Sequence, residues 1–482
     1  MRSGKVSRLV RKILPTNSFA RGVSVLVGGT AGAQMILVLA APLLTRLYSP
    51  EDFGVLAVYV GLLAIAAVVS SMRYELAIPL PQDGRDAARL LVLSLGITGL
   101  TTLVTAMLVA MFGKAIASAL GVPLLADIFW LLPLGVLFQG TYKALNYWAI
   151  RTKKFPLIAK TRIRQSVGTL AIQLCGFKLG VGALVAGQAG GQGVGIWALG
   201  RSAFRDPSFR DRGILNVLTV AKRYKYLPLY STWSGLFNVA GKQLPPLMFA
   251  ALFSASAAGL YALAHRVLAL PISLVGEAIG KVFFSNAAEA YREQRLGNLV
   301  CSVHDKLAQI AMPPAVMLMI VSPEAFELAF GRGWREAGDF ARWMTPWIYM
   351  VFITSPLSTL FSVMEKEQHG LIFQIGLLAV RVVAIAVGAW YGQLIVAVIL
   401  YSLSSAICWG GFLIWIARIT GNKFNMILQP ALRALLVSGM ISAPLWVARL
   451  LEVTAAGWVL AGAVCLALIA GHYYLMFRKA YV

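Results

Sequence analysis

Apolar runs of roughly 20 residues recur along the whole chain, separated by short polar stretches that hold most of the Lys and Arg. A helical run of that length covers a hydrocarbon core of about 30 Å at 1.5 Å rise per residue. The pattern predicts about fourteen spans, near 22–47, 53–72, 88–112, 127–149, 163–180, 182–200, 226–252, 257–283, 306–330, 343–364, 369–390, 393–417, 431–449 and 454–477. The fifth and sixth are short and rich in Gly. A β-barrel would need alternating segments of about ten residues, and these runs are continuous. Backbone exposed to lipid must satisfy its own hydrogen bonds, so each run is expected to be helix. The fold class is all-α integral membrane. The first run follows a basic stretch and contains Ala31-Gly32-Ala33, as a signal peptide would. Its apolarity continues to Tyr48, too long for an h-region of about 7–15 residues, so it reads as an uncleaved first span.

Composition supports the pattern. Of 482 residues, 59% are hydrophobic and 13% charged, and the mean hydropathy is +0.75. One water-soluble core cannot hide that much apolar surface, because cores stop growing near ~300 residues. Charge then orients the spans. There are 43 Lys and Arg against 19 Asp and Glu, a formal +24. Arg2, Lys5, Arg8, Arg11, Lys12 and Arg21 occupy the N-terminal tail. A second cluster, Arg151 to Arg164, follows the fourth span, and a third, Arg201 to Lys225, follows the sixth. The alternate loops hold few cations or balance them with acids. By the positive-inside rule both termini are expected in the cytoplasm. The basic excess is explained by insertion topology and anionic headgroups, with no nucleic-acid motif and no nucleic-acid partner expected. Cys175, Cys301, Cys408 and Cys465 are scattered singly and read as small core hydrophobes; no metal site and no cofactor is expected.

The chain reads as duplicated. A shift of 205 positions superposes Leu47 on Leu252, Ser49 on Ser254, Gly54 on Gly259, Ala57 on Ala262 and Leu63-Ala64 on Leu268-Ala269. Six spans per block is an even number, so the two blocks would be parallel repeats, with substrate expected between them. The predicted organisation is a basic tail (1–21), an N-lobe (22–200), a basic linker (201–225), a C-lobe (226–417) and an appended pair of spans (431–477).

No P-loop, GxSxG or HExxH is present, and no enzyme is expected. The informative residues are cations inside spans, each costing about 2.5–3.5 kcal/mol at a helix centre. Lys242 lies at mid-depth in the seventh span, His265 and Arg266 in the eighth, and Arg381 in the eleventh. Lys143 is nearer the cytoplasmic end of the fourth, within snorkelling reach. Arg73 closes the second span and Arg46 the first. Arg266 and Glu277 are eleven residues apart, three turns at 100° per residue, so they are expected to share a face; Pro271 between them is expected to kink the helix. Glu277 reads either as a structural partner of Lys281 or as a carboxylate for proton or cation coupling.

Two segments carry a family resemblance. Leu47-Tyr48-Ser49-Pro50-Glu51-Asp52-Phe53-Gly54 and Arg73-Tyr74-Glu75-Leu76-Ala77-Ile78 resemble the N-terminal signature of Wzx-type polysaccharide and O-antigen flippases, in the multidrug/oligosaccharidyl-lipid/polysaccharide exporter superfamily. The run from Gly259 to Pro271 is similar to the start of that family's second lobe. In the related lipid II flippases the Arg of a similar run belongs to a cationic central cavity, and it falls on Arg266 here. The resemblance implies export of an undecaprenyl-pyrophosphate-linked oligosaccharide, with membrane lipids, a polysaccharide polymerase and chain-length proteins as partners. It implies Arg266 as a substrate contact; Lys242, Arg73, Arg46, Lys143 and Arg381 join it as candidate substrate contacts because they are cations in or at the ends of spans, with Glu277 as the coupling candidate. Two alternatives remain open at this point. A drug/cation antiporter of the same superfamily would want acids in its cavity helices, and the first span has none between Val23 and Thr45. A membrane polysaccharide polymerase or lipid-linked glycosyltransferase would want a large outer loop.

Overall fold

The computed structural model describes residues 18–209, 216–451 and 453–480, so most of the basic tail and part of the basic linker lie outside the described residues. Every regular element among the described residues is helical. Among the described residues seven helices are long and apolar enough to cross a membrane: Ser24–Leu47, Pro50–Val69, Gly84–Ala119, Leu296–Phe330, Glu367–Trp390, Leu394–Ile419 and Ala456–Met476. Two bent helix pairs reach the same length and apolarity when each is taken together, Arg332–Thr354 with Pro356–Val363 at 42°, and Asn425–Ile441 with Ala443–Leu450 at 52°. The chain is a multi-pass membrane protein. Along Gly84–Ala119 the large side chains Leu100, Leu103, Met107 and Met111 are exposed at helical spacing. In water such a stripe would drive aggregation; in lipid it is the ordinary outer face.

The other predicted spans also fall on helices, but with interruptions. The run 182–200 is Val181–Gly193 and Ile196–Phe204, separated at Gly195, whose φ of 105° favours glycine. The helix predicted from 163 begins at Phe155, with Pro156 in its first turn. Lys160, Arg162 and Arg164 therefore sit on the helix and not in the connection before it. Pro271 ends the α-helix Ala255–Pro271, which gives way to a π-helical turn at Ile272–Gly276. The 100° register that put Arg266 and Glu277 on one face does not carry across that turn.

The chain forms two compact units, Met1–Gly259 and Leu260–Val482. In the first, Pro50–Val69 packs on Thr232–Leu252, and Ser18–Leu39 on Phe155–Cys175. Its core gathers Leu90, Leu91, Leu145, Trp148 and Ile158 with Tyr224 and Leu227. In the second, Leu296–Phe330 packs on Arg335–Thr354 and Glu367–Trp390 on Leu394–Ile419. Its core is built on Phe283, Leu307, Phe352, Leu360, Phe412 and Ile416. The cysteines depart from expectation. Only Cys465 is buried, its Sγ donating to the Ile441 carbonyl at 3.3 Å, whereas Cys175 is exposed because it ends its helix at the surface.

The first family-like motif is a helix start. Ser49 is the N-cap of Pro50–Val69: its Oγ accepts from the Asp52 backbone N–H at 3.2 Å, and Asp52 Oδ2 accepts from the Ser49 N–H at 2.9 Å. This capping box satisfies two backbone donors reciprocally. Gly54 and Gly259 have a shared reason to be glycine. A Cβ on Gly54 would strike the Ala255 carbonyl, and one on Gly259 would strike the Pro50 carbonyl. Pro50 and Ala255 are again 205 positions apart.

Candidate functional site

Two clusters of polar groups stand out inside the spanning region, one in each unit. The first begins where Pro50–Val69 ends. Met72 and Arg73 take φ of 47° and 64°, the left-handed region, which costs a non-glycine residue about 1–2 kcal/mol. The tight turn leads into the 3-10 helix Tyr74–Ala77. It brings Glu75 into the protein at 2% exposure, where its Oε2 accepts from Ser71 Oγ. Tyr74 Oη donates to the Ala221 carbonyl at 3.2 Å. Arg151 donates to the carbonyls of Ile78, Pro81 and Gln82 and so clamps the segment that follows. The loop cation read as a topology signal is therefore also a structural brace.

Arg73 is half-buried, with its guanidinium pressed against Gly235 on Thr232–Leu252; a Cβ at Gly235 would overlap it. Its Nε is buried without a hydrogen-bond partner among the described residues. On the helix Leu131–Arg151, Gln139, Lys143 and Asn146 are spaced by four and three residues and share a face. Lys143 Nζ donates to the Ala67 carbonyl at 2.8 Å, so it reaches inward to protein and not out to headgroups. Glu75 and Arg73 both act electrostatically on Lys143 and on Tyr147. Gln139 Oε1 and Asn146 Oδ1 are buried with no partner among the described residues. Buried polar atoms normally find partners, so these atoms can accept a hydrogen bond from a molecule that is not part of the protein.

The second cluster is aromatic. Arg381, on Glu367–Trp390, sits over the Trp347 ring at 4.9 Å and the Tyr401 ring at 5.4 Å, and its Nε donates to Ser405 Oγ at 3.0 Å. Trp347 and Tyr401 meet edge to face at 5.2 Å. His265 stacks between Trp347 and Tyr261, at 5.7 Å from each, and the Tyr261 and Tyr401 hydroxyls are 3.1 Å apart. A guanidinium over two π faces is stabilised by the ring quadrupoles and keeps other donors for an anion.

The structure thus brings Arg73 and Lys143 together and gives Arg381 its own setting. Arg266 is half-buried on Ala255–Pro271, next to His265. The Glu277 side chain lies outside the described residues. Lys242 and Arg46 are exposed on their helices. Sequence reasoning missed Gln139 and Asn146, whose spacing around Lys143 was a usable signal. It also missed Trp347, Tyr401 and Ser405, for which no local signal exists.

Residues 43–339 match the family model described as "Polysaccharide biosynthesis protein". The chain belongs to this family. The family resemblance read from the two N-terminal segments and the Gly259–Pro271 run is borne out. Among curated proteins no sequence matches significantly. Among solved structures the family member is similar to the lipid II flippase MurJ in an inward closed conformation, with TM-score 0.76 and 12% identity over 95% of this chain and 99% of that one. It is also similar to an inward-facing multidrug resistance MATE family transporter of the MOP superfamily, with TM-score 0.64 and 14% identity over 82% and 94%. A mutant of the Vibrio cholerae MATE transporter VcmN matches with TM-score 0.53 and 13% identity over 88% and 99%. At these identities the likeness is one of fold alone, and the family member has an all-helical fold like theirs.

Proposed function

We propose that this chain is a transporter and not an enzyme. It carries an undecaprenyl-pyrophosphate-linked oligosaccharide from the cytoplasmic to the outer leaflet of the bacterial inner membrane. About fourteen spans, arranged as N- and C-lobes (22–200 and 226–417) with an appended pair (431–477), would rock about the substrate in alternating access, coupled to an ion. Both termini are cytoplasmic in this reading.

The observation that carries it is the set of inward-held cations with unfilled polar neighbours. Lys143, under the electrostatic influence of Glu75 and Arg73, shares a helix face with Gln139 and Asn146, whose buried oxygens have no partner among the described residues. That combination suits an anionic headgroup bearing hydroxyls: cations for the pyrophosphate, amide oxygens for sugar O–H groups. Arg381 and Arg266 would supply cations from the second unit, Lys242 and Arg46 would meet the headgroup on its way, and Glu277 would couple the ion. Membrane lipids, a polymerase and chain-length proteins are the partners this reading names. An antiporter of organic cations would find Arg73 and Lys143 repulsive.

The test is flipping of an undecaprenyl-pyrophosphate oligosaccharide in proteoliposomes, read by lectin access to the outer face. The wild type should flip it, and Arg73→Gln should lower the rate about tenfold or more while protein level holds. That loss corresponds to one charge-assisted contact of about 1.5–3 kcal/mol. Extrusion of a cationic dye, with no flipping, would establish the antiporter instead.

A further inference from the structure

The helix Thr232–Leu252, within the seventh predicted span, has 21 residues, enough for a membrane crossing, but is not among the seven helices apolar enough to be one. Its two sides differ. One packs into the protein: a Cβ on Gly61 of Pro50–Val69 would meet Leu247 at 3.4 Å, and Gly235 carries the Arg73 guanidinium. The other side is open, and two rows run along it at four-residue spacing. Trp233 and Phe237 form an aromatic row, 58% and 65% exposed, and the exposed Tyr230 precedes it. Ser234, Asn238 and Lys242 form a polar row, all exposed. Residues four apart on a helix are neighbours, one turn above another. At 100° per residue the order around the helix is aromatic row, polar row, Arg73.

This face does not suit lipid. A hydroxyl, an amide and an ammonium share one row, with Lys242 in the middle of the helix, and each would give up water to hydrocarbon at a cost. Pro245 and Pro246 add to the polarity. Neither has an N–H, so the carbonyls four residues earlier, of Gly241 and Lys242, lose the donors that a continuous helix gives them. In lipid such carbonyls would cost several kcal/mol. An aromatic belt at the membrane interface would explain Tyr230 and Trp233, but not the amide, the ammonium and the freed carbonyls beside them.

Rings flanked by hydroxyl, amide and carbonyl groups match a pyranose, which has an apolar face of C–H bonds and an edge of hydroxyls. The face lies against an aromatic ring, and the edge exchanges hydrogen bonds with groups that donate and accept. We propose that this strip is a sugar-binding subsite: Trp233 and Phe237 stack the sugar rings of the lipid-linked cargo. Ser234, Asn238 and the carbonyls of Gly241 and Lys242 hold the hydroxyls. Arg73, flanking the polar row, takes the pyrophosphate to which the first sugar is joined, so the order around the helix follows the covalent order of the headgroup. The inference rests on the flippase reading above and adds to it the residues that recognise sugar.

The experiment uses the full chain in phosphatidylethanolamine vesicles with two probes. One is undecaprenyl pyrophosphate bearing a disaccharide of N-acetylglucosamine with a diazirine on its N-acyl group; the other is phosphatidylethanolamine with a diazirine in an acyl chain. Mass spectrometry should place the sugar label in 233–242 and the acyl label elsewhere. Trp233→Leu and Phe237→Leu should each cut the sugar label about tenfold, equivalent to about 1.4 kcal/mol of stacking. Trp233→Tyr should retain most of it, because a ring face remains. Asn238→Leu changes the polar row alone; it should lower the label too, and it serves where a variant of the aromatic row folds poorly. Sugar labelling undiminished in all three leucine variants overturns the proposal. So does acyl-chain labelling of 233–242 equal to the sugar label, which would make the strip a lipid-facing belt. If the wild type flips oligosaccharide and the leucine variants flip it equally well, the strip is refuted and the flippase reading stands. Sugar labelling of the strip in a wild type that flips nothing refutes the flippase reading and leaves the strip.

Discussion

Arg73 with Lys143, and Arg381, are cations in the same kind of surroundings, yet the two units hold them by different physics. In the first unit compensation is electrostatic and carbonyl-based: Glu75 lies buried among the cations, and Lys143 donates to the Ala67 carbonyl. In the second unit Arg381 rests on two aromatic faces and one hydroxyl. A carboxylate neutralises a cation and also competes for it with any anionic ligand. An aromatic face orients the guanidinium and leaves its charge available. The first cluster is therefore built to be stable when empty, and the second to present charge.

The largest test of that contrast is Glu75→Gln. Removing one member of a buried charge group costs up to about 3–5 kcal/mol, because the remaining charges stay uncompensated. Thermal unfolding in detergent should shift sharply downward, and the double variant with Lys143→Met should recover much of the loss. A single variant as stable as the parent would mean that Glu75 balances nothing. Trp347→Leu should be milder, about 0.5–2 kcal/mol for the lost cation–π contact. Its effect should appear in transport more than in protein abundance. If abundance collapses instead, the ring is a packing element and the orientation argument fails. The smallest effect is expected at Met72, an exposed residue held at a φ of 47°. Met72→Gly should remove left-handed strain and raise stability by up to about 1 kcal/mol. A fall in stability would show that the Met72 side chain supports the Arg73 turn through contacts that outweigh its backbone strain.

Much of this was legible in the chain, unevenly. The candidate cations were visible because a charge in an apolar run stands out without knowledge of the fold. The Ser49–Asp52 motif was read only as a family mark, although a Ser followed three positions later by an acid is a local capping signal. The bent spans were read as continuous, since apolar windows average over a break. No local rule finds the left-handed pair Met72–Arg73, where neither residue is one that favours that conformation. The neighbours of Arg381 were also out of reach: Trp347 and Ser405 lie 34 residues before it and 24 after it.

By itself the sequence determined the solvent of this protein and its helical class. These follow from composition and short-range periodicity, because a bilayer demands internally bonded backbone and makes every spanning helix an almost independent decision. Tertiary structure decided which cation lies near a buried carboxylate and which rests on rings. Those outcomes depend on side chains tens of residues apart meeting at distances of a few ångströms. Helix rotation and tilt set such meetings, and hydropathy is indifferent to both.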